Sequence, residues 1–166
     1  VESARPATAE DLPVIEDIAA RHRKAIVGQR GASIFLRREA GPWPIRSRIE
    51  QALAAGDDGG DALAVVGCYA EVVFGYGLVE YEELLDGALL ARLTDFVVDG
   101  DIRGSGIGEA MMELIVQRAG EAGCIGIDSV ALPGDRETKN FFESFGLKAR
   151  LLTVHRSLVD PEGDGD

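Results

Sequence analysis

The feature that most restricts the fold is residues 93–119, LTDFVVDGDIRGSGIGEAMMELIVQRA, where a β-branched stretch runs through a glycine turn directly into an amphipathic helix. Ile107, Met111, Leu114, Ile115 and Ala119 recur at helical spacing, with Glu109, Glu113, Gln117 and Arg118 elsewhere around the axis. A strand and a helix joined this closely bury their apolar faces together, so the stretch demands a sheet with a helix packed on it. The turn, Arg103-Gly104-Ser105-Gly106-Ile107-Gly108, also has the chemistry of an anion site. Glycines let backbone N–H groups approach a phosphate unobstructed, and the positive end of the helix favours negative charge. A plain tight connection explains three glycines about equally often.

The spacing is G-x-G-x-G, with Glu109 where a dinucleotide-binding fingerprint wants its third glycine, and no G-K-[ST] follows as a P-loop needs. Asp128 lies about 20 residues on, as an acidic ribose ligand would, which keeps a dinucleotide-binding oxidoreductase among the alternatives.

Along the chain, residues 1–5 read as a strand, and Thr8 or Asp11 caps a helix carrying Leu12, Ile15, Ile18, Ala19 and Ile26. Residues 28–44 read as a loop with a short extended piece at 33–36, and a helix is expected over 45–55. The cluster GDDGGD at 56–61 is a turn. Strands are expected over 62–69 and 72–81, joined as a hairpin by Ala70-Glu71, and over 89–98. After the helix at 107–122 come a strand at 125–132, a helix at 136–145 stopped by Gly146, and a last strand at 148–158. This order predicts a single α+β domain over 1–159. Its central sheet is mixed, mostly antiparallel and of six to seven strands, flanked by about four helices. Residues 160–166, DPEGDGD, read as a disordered acidic tail.

Seventeen basic against 29 acidic side chains leave a net charge of −12, which argues against nucleic acid or an anionic membrane as partner. It favours a cationic partner only weakly. Cys68 and Cys124 sit among apolar residues and read as reduced packing groups. No apolar run approaches membrane-spanning length and the first residues lack a signal peptide's pattern, so a cytoplasmic location is the expectation.

The pattern R-x-x-G-x-G placed after a valine strand, Val98 to Gly108, resembles the acyl-CoA pyrophosphate loop of GCN5-related N-acetyltransferases (GNAT), and NFFESFGLK at 140–148 resembles that family's FYEKxGF helix ending. The resemblance implies an acyl-CoA N-acyltransferase fold and an acetyltransferase using acetyl-CoA, without a metal, on a small-molecule or peptide amine acceptor. It implies that the pyrophosphate rests on the N–H groups of Arg103, Gly104, Ser105, Gly106, Ile107 and Gly108. Pantetheine would pair with Phe96, Val97 and Val98, between strands 89–98 and 125–132 that splay apart. Asp135 stands near a position that helps hold the pantetheine arm, although its first reading is a helix cap. Phe142 stands where the family commonly has a tyrosine that protonates the leaving thiolate, so a non-catalytic acyl-CoA-binding module is a second alternative. Whether the chain forms a homodimer is left open.

An amine with a pKa of about 10.4 must lose a proton before attack, so a carboxylate base is expected. Asp95, Glu80 and Glu82 are the candidates; each also has an ordinary reading as a satisfied or solvated strand residue. His155, in the expected last strand, is a further titratable group, and Trp43 is either a wall of the acceptor pocket or a core anchor.

Overall fold

A computed structural model of the protein describes residues 1–56, 60–102 and 104–159. Arg103, residues 57–59 of the expected turn and the expected acidic tail at 160–166 lie outside the described residues.

Five strands form one sheet in sequence order: β1 (Glu2–Pro6), β2 (Ala62–Tyr69), β3 (Val72–Glu83), β4 (Leu89–Val98) and β5 (Cys124–Asp128). The first three pairings are antiparallel and β4 pairs with β5 in parallel. The helices are α1 (Leu12–Ile26), α2 (Ala32–Arg37), α3 (Arg46–Ala55), α4 (Ile107–Glu121) and α5 (Arg136–Ser144), with short 3₁₀ turns at Ala9–Asp11 and Gly100–Ile102. The parallel pair follows from the α4 crossover, since parallel neighbours need a long connection.

Alternation along the strands divides the core into two layers. Ala64, Val66 and Cys68 of β2 join Ile15, Ile18 and Ile49 on the α1/α3 face. Leu63 and Val65 join Ile107, Met111 and Ile115 on the α4 face. The α4 helix comes close because glycines lie beneath it. A Cβ at Gly75 would stand 2.8 Å from the Val97 carbonyl oxygen and 3.0 Å from Met111 Sδ, and one at Gly77 would stand 3.2 Å from Ile115 Cδ1. Near the N-terminus, Asp11 accepts from the Thr8 backbone N–H and from both Arg5 terminal nitrogens, at 2.7 and 2.9 Å, pinning β1 to the start of α1.

One irregularity matters for the site. Leu78 pairs with Asp95 but Val79 pairs with Leu93, leaving Thr94 as an extra residue in β4. Such a bulge reverses the facing of everything beyond it. Ala91 and Leu93 therefore pack on the α4 face, while Val97, of the same parity, packs on the α1/α3 face.

Among the described residues the sheet has five strands rather than six or seven. Residues 33–36 are helical within α2, where Gly31 turns at φ 80° and Phe35 N–H bonds back to its carbonyl; closing that turn outweighs the β preference of Ile34 and Phe35. Residues 148–158 form no ladder among the described residues. The strand expected over 125–132 stops at Asp128, where the chain leaves β4. Among the described residues there are five α-helices rather than about four, α2 being the addition. The Ala70-Glu71 hairpin turn is present, with both residues at positive φ, and no described helix is long and apolar enough to cross a membrane.

Candidate active site

The β4–β5 ladder extends from Leu89/Cys124 to Arg92/Asp128. Past it, Ser129 Oγ donates to the Leu93 carbonyl at 3.0 Å and the two segments part. A cleft opens there, with about 100 Å³ open to water-sized molecules. Thr94 to Val97 form one side, and Ser129 to Leu132 with Asp135, Thr138 and Phe142 form another. The remaining wall comes from α1 (His22, Arg23, Ile26), α2 (Phe35, Leu36), Trp43 and Arg48. The Asp99 N–H donates to the Phe74 carbonyl on β3. By alternation the N–H groups of Phe96 and Val98 point the other way, into the gap.

The bulge delivers Asp95 into this cleft. Arg48 Nη2 donates to Asp95 Oδ1 at 2.5 Å and Nη1 to Oδ2 at 3.3 Å; Thr94 Oγ1 donates to Oδ1 at 2.9 Å and the Tyr76 hydroxyl to Oδ2 at 3.3 Å. The Arg48 and Asp95 side chains are only 9% and 13% exposed, so the charges meet with little water between them. Burial, then the neighbouring Asp95 charge, hold the Tyr76 phenol well above its ordinary range, so it stays a donor. Asp95 thus presents a carboxylate engaged by three neighbours.

Gly104 and Gly106 of the glycine turn both have left-handed backbone, φ 82° and 89°. Gly106, at the N-cap of α4, provides no side-chain cap, and Ala110 N–H bonds back to the Gly106 carbonyl, so among the described residues the N–H groups of Ile107 and Gly108 have no intrahelical partner. The Ser105 hydroxyl is buried and has no hydrogen-bond partner among the described residues. Buried hydroxyls are nearly always satisfied, and an orphan beside free helix N–H groups fits an anion such as a pyrophosphate. A Cβ on Gly108 would stand 3.3 Å from the Phe141 ring, so α5 packs directly on this helix start.

The other expected residues are distributed unevenly. Asp135 caps α5, accepting from Thr138 N–H at 3.1 Å and its hydroxyl at 2.7 Å, and it also borders the cleft. Phe142 is buried with its ring 6.0 Å from Phe96, edge to face, and borders the cleft. Trp43 borders it too, under the Arg23 guanidinium at 4.9 Å. Glu80 and Glu82 do not: they are half-exposed near the end of β3, 3.5 and 3.6 Å from Arg92. Asp128 is held by Arg150, whose hydrogen bonds keep its carboxyl below the ordinary range. His155 lies exposed in the C-terminal segment. Reading the sequence alone passed over His22 and Arg48. His22 was detectable, since it falls on the stripe of Ile15, Ile18, Ala19 and Ile26; Arg48, 47 residues from its carboxylate, carried no local signal. Among the described residues no group of three or more His, Cys, Asp or Glu side chains could hold a metal ion.

The family model described as Acetyltransferase (GNAT) family matches residues 29–147, most of the chain. The chain belongs to the GNAT family. It is therefore an acyl-CoA-dependent N-acetyltransferase, of a family that uses acetyl-CoA, and the sequential, largely antiparallel sheet removes the doubly wound architecture that a dinucleotide oxidoreductase requires. Solved structures share this GNAT fold. A mutant of the BH1408 protein from Bacillus halodurans matches at TM-score 0.78 and 22% identity, covering 94% of this chain and 99% of that one. Glucosamine-6-phosphate N-acetyltransferase from Arabidopsis thaliana matches at TM-score 0.66 and 18% identity, covering 96% and 99%. AAC(6')-Iy, in complex with the bisubstrate analog CoA-S-monomethyl-acetylneamine, matches at TM-score 0.71 and 12% identity, again covering 96% and 99%. No curated protein sequence matches the chain.

Proposed function

We propose that this GNAT protein transfers the acetyl group of acetyl-CoA to the primary amine of a small molecule, by direct attack in a ternary complex, with residues 1–159 acting as one domain. The observation that carries the reading is the parting of β4 and β5 at Thr94, which leaves strand N–H groups facing a cleft just upstream of the glycine turn. Gly104 to Gly108 would hold the pyrophosphate, with the Ser105 hydroxyl finding its partner there, and Phe96 and Val98 would hold the pantetheine arm as an added strand. The bound thioester supplies an activated acetyl group. A neighbouring fold that accommodates a single CoA–aminoglycoside ligand supports a site that takes both substrates together.

The amine loses a proton to a base and its nitrogen attacks the thioester carbonyl carbon. The C–N bond forms, the C–S bond breaks, and the thiolate takes its proton from water, since Phe142 has none to give. Thiolate departure is feasible near neutral pH because a thiol pKa is about 8.5. Within the cleft, Asp95, His22 and Asp135 could accept the amine proton; Asp135 already caps α5, and Asp95, held by Arg48, would act through water. Glu80 and Glu82 are weaker candidates for the same role because they stand outside the cleft.

Thiol release from acetyl-CoA over a panel of amines, aminoglycosides and peptides tests the reading. Turnover by the wild type, with kcat depressed and the pH profile altered in Asp95→Asn or His22→Gln, is the expected result. Tight acetyl-CoA binding with no turnover on any amine would instead mark a binding module, and absence of acetyl-CoA binding would remove the proposal.

A further inference from the structure

One wall of the cleft comes from a segment whose charge is opposite in sign to that of the protein. Residues 21–48 hold eight of the 17 basic side chains and a single acidic one, Glu39, on a chain of net charge −12. The segment runs from the last turns of α1 through α2 into the first turn of α3, and its His22, Arg23, Trp43 and Arg48 border the cleft. At physiological salt a charge is largely screened beyond about 8 Å. A ligand in the cleft therefore responds to the side chains around it, not to the acidic surface elsewhere.

The charged groups of the cleft differ in what they already hold. Arg48 is paired with Asp95. Asp135, on the wall that includes α5, accepts with both carboxylate oxygens from Thr138. Arg23 has no ion-pair or hydrogen-bond partner among the described residues; its guanidinium carbon lies over the Trp43 ring, 4.9 Å from the centroid. Stacking engages the flat face of a guanidinium and leaves the N–H donors along its edge free, in the fork that fits a carboxylate or a phosphate. Trp43 is 45% exposed, so a ligand can reach the stacked pair. Ile26, Phe35 and Leu36 continue the same wall as an apolar surface.

We propose that the acceptor carries an anionic group, a carboxylate or a phosphate, in addition to its amine, and that Arg23, stacked on Trp43, binds that group and selects for it. The inference rests on the acetyl-transfer reading given above. In that reading acetyl-CoA takes the glycine turn and the gap between β4 and β5, which leaves the wall of α1, α2 and Trp43 to the acceptor. The apolar part of the acceptor then lies against Phe35 and Leu36, and its anion lies in the Arg23 fork.

Titration calorimetry in the presence of CoA, with thiol release from acetyl-CoA followed in parallel, tests this on matched probes. Phenylalanine is compared with phenylethylamine for a carboxylate, and glucosamine-6-phosphate with glucosamine for a phosphate. In at least one pair the anionic member is expected to bind about 10- to 100-fold more tightly, as a bidentate charge-assisted hydrogen bond provides, and the pair that shows it identifies the anion. Arg23→Gln is expected to remove the difference, and Arg23→Lys, which keeps the charge and loses the fork, to restore part of it. Unchanged acetyl-CoA affinity and Tm in both variants show that the site has not collapsed. Arg23-dependent binding of an anionic probe without thiol release keeps the anion subsite and removes the acetyl-transfer reading. Thiol release with neutral probes that bind as well as the anionic ones overturns the subsite and leaves acetyl transfer standing. A preference for the anion that survives Arg23→Gln, or no binding of either anionic probe, also overturns it.

Discussion

Replacing Arg48 with methionine should destabilise the protein far more than its place beside a cleft suggests. The guanidinium is within hydrogen-bonding distance of both Asp95 oxygens, at 2.5 and 3.3 Å, and of Thr94 Oγ1 at 3.1 Å. With the side chains 9% and 13% exposed, its removal leaves a carboxylate with little access to water. Breaking a buried pair from one side costs about 3 to 5 kcal/mol, and the residual exposure here puts the expectation at the lower end, about 3 kcal/mol. For a chain of this size each 1 kcal/mol lowers Tm by about 2 to 4 °C, so a fall of about 6 to 12 °C is expected. Arg48→Met with Asp95→Leu removes both charges together. It should lie within about 1 to 2 kcal/mol of the wild type, because a buried pair and its apolar replacement are nearly equivalent. Equilibrium urea unfolding of the wild type, both single variants and the double variant gives the coupling energy directly. Additive single effects, or an Arg48→Met loss under about 1 kcal/mol, would show that the pair is solvent-screened and that this account of Asp95 is wrong.

Phe142→Tyr should raise kcat while leaving KM for acetyl-CoA nearly unchanged, because a phenol at this position can protonate the leaving thiolate; general acid assistance is worth about 10² to 10⁴ in rate. A slower variant of lower Tm would instead place position 142 in apolar packing against Phe96 and Phe141. Gly106→Glu should abolish acetyl-CoA binding in titration calorimetry, since a carboxylate would enter the turn where Glu2 already approaches. Gly104→Ala has a similar left-handed backbone with open space around it, so it should lose about 1 to 2 kcal/mol of stability and retain binding; equal loss in both would mean strain, not charge, is responsible. Asp11→Asn should reduce the acid sensitivity of the fold. The hydrogen bonds from Arg5 hold the native Asp11 carboxyl below the ordinary range, so on acidification the unfolded chain protonates first. Its contribution is complete above about pH 4 and disappears as pH falls through the native value, so the variant's urea midpoint should change less than the wild type's below about pH 4. Equal acid dependence in the two would refute the assignment.

Local pattern determined much of this protein. The stripe Ile107, Met111, Ile115 and Ala119 specifies α4, the positions Ala70-Glu71 specify the hairpin, and the glycine spacing before α4 specifies a turn, because each depends on neighbours within a few residues. The same locality made the family resemblance legible. Tertiary structure decided the rest. Strict alternation puts Asp95 on the face of Ala91 and Leu93, and only pairing with β3 reveals the extra residue at Thr94 that turns it toward Arg48. Glu80 and Glu82 resemble cleft residues in sequence but lie near the far end of β3, since strand position and not composition sets distance from the parting of β4 and β5. Residues 148–158 have a strand's composition without a strand's pairing. A strand requires a partner edge, and which edge that is depends on where the chain brings its elements together, information that no stretch of ten residues contains.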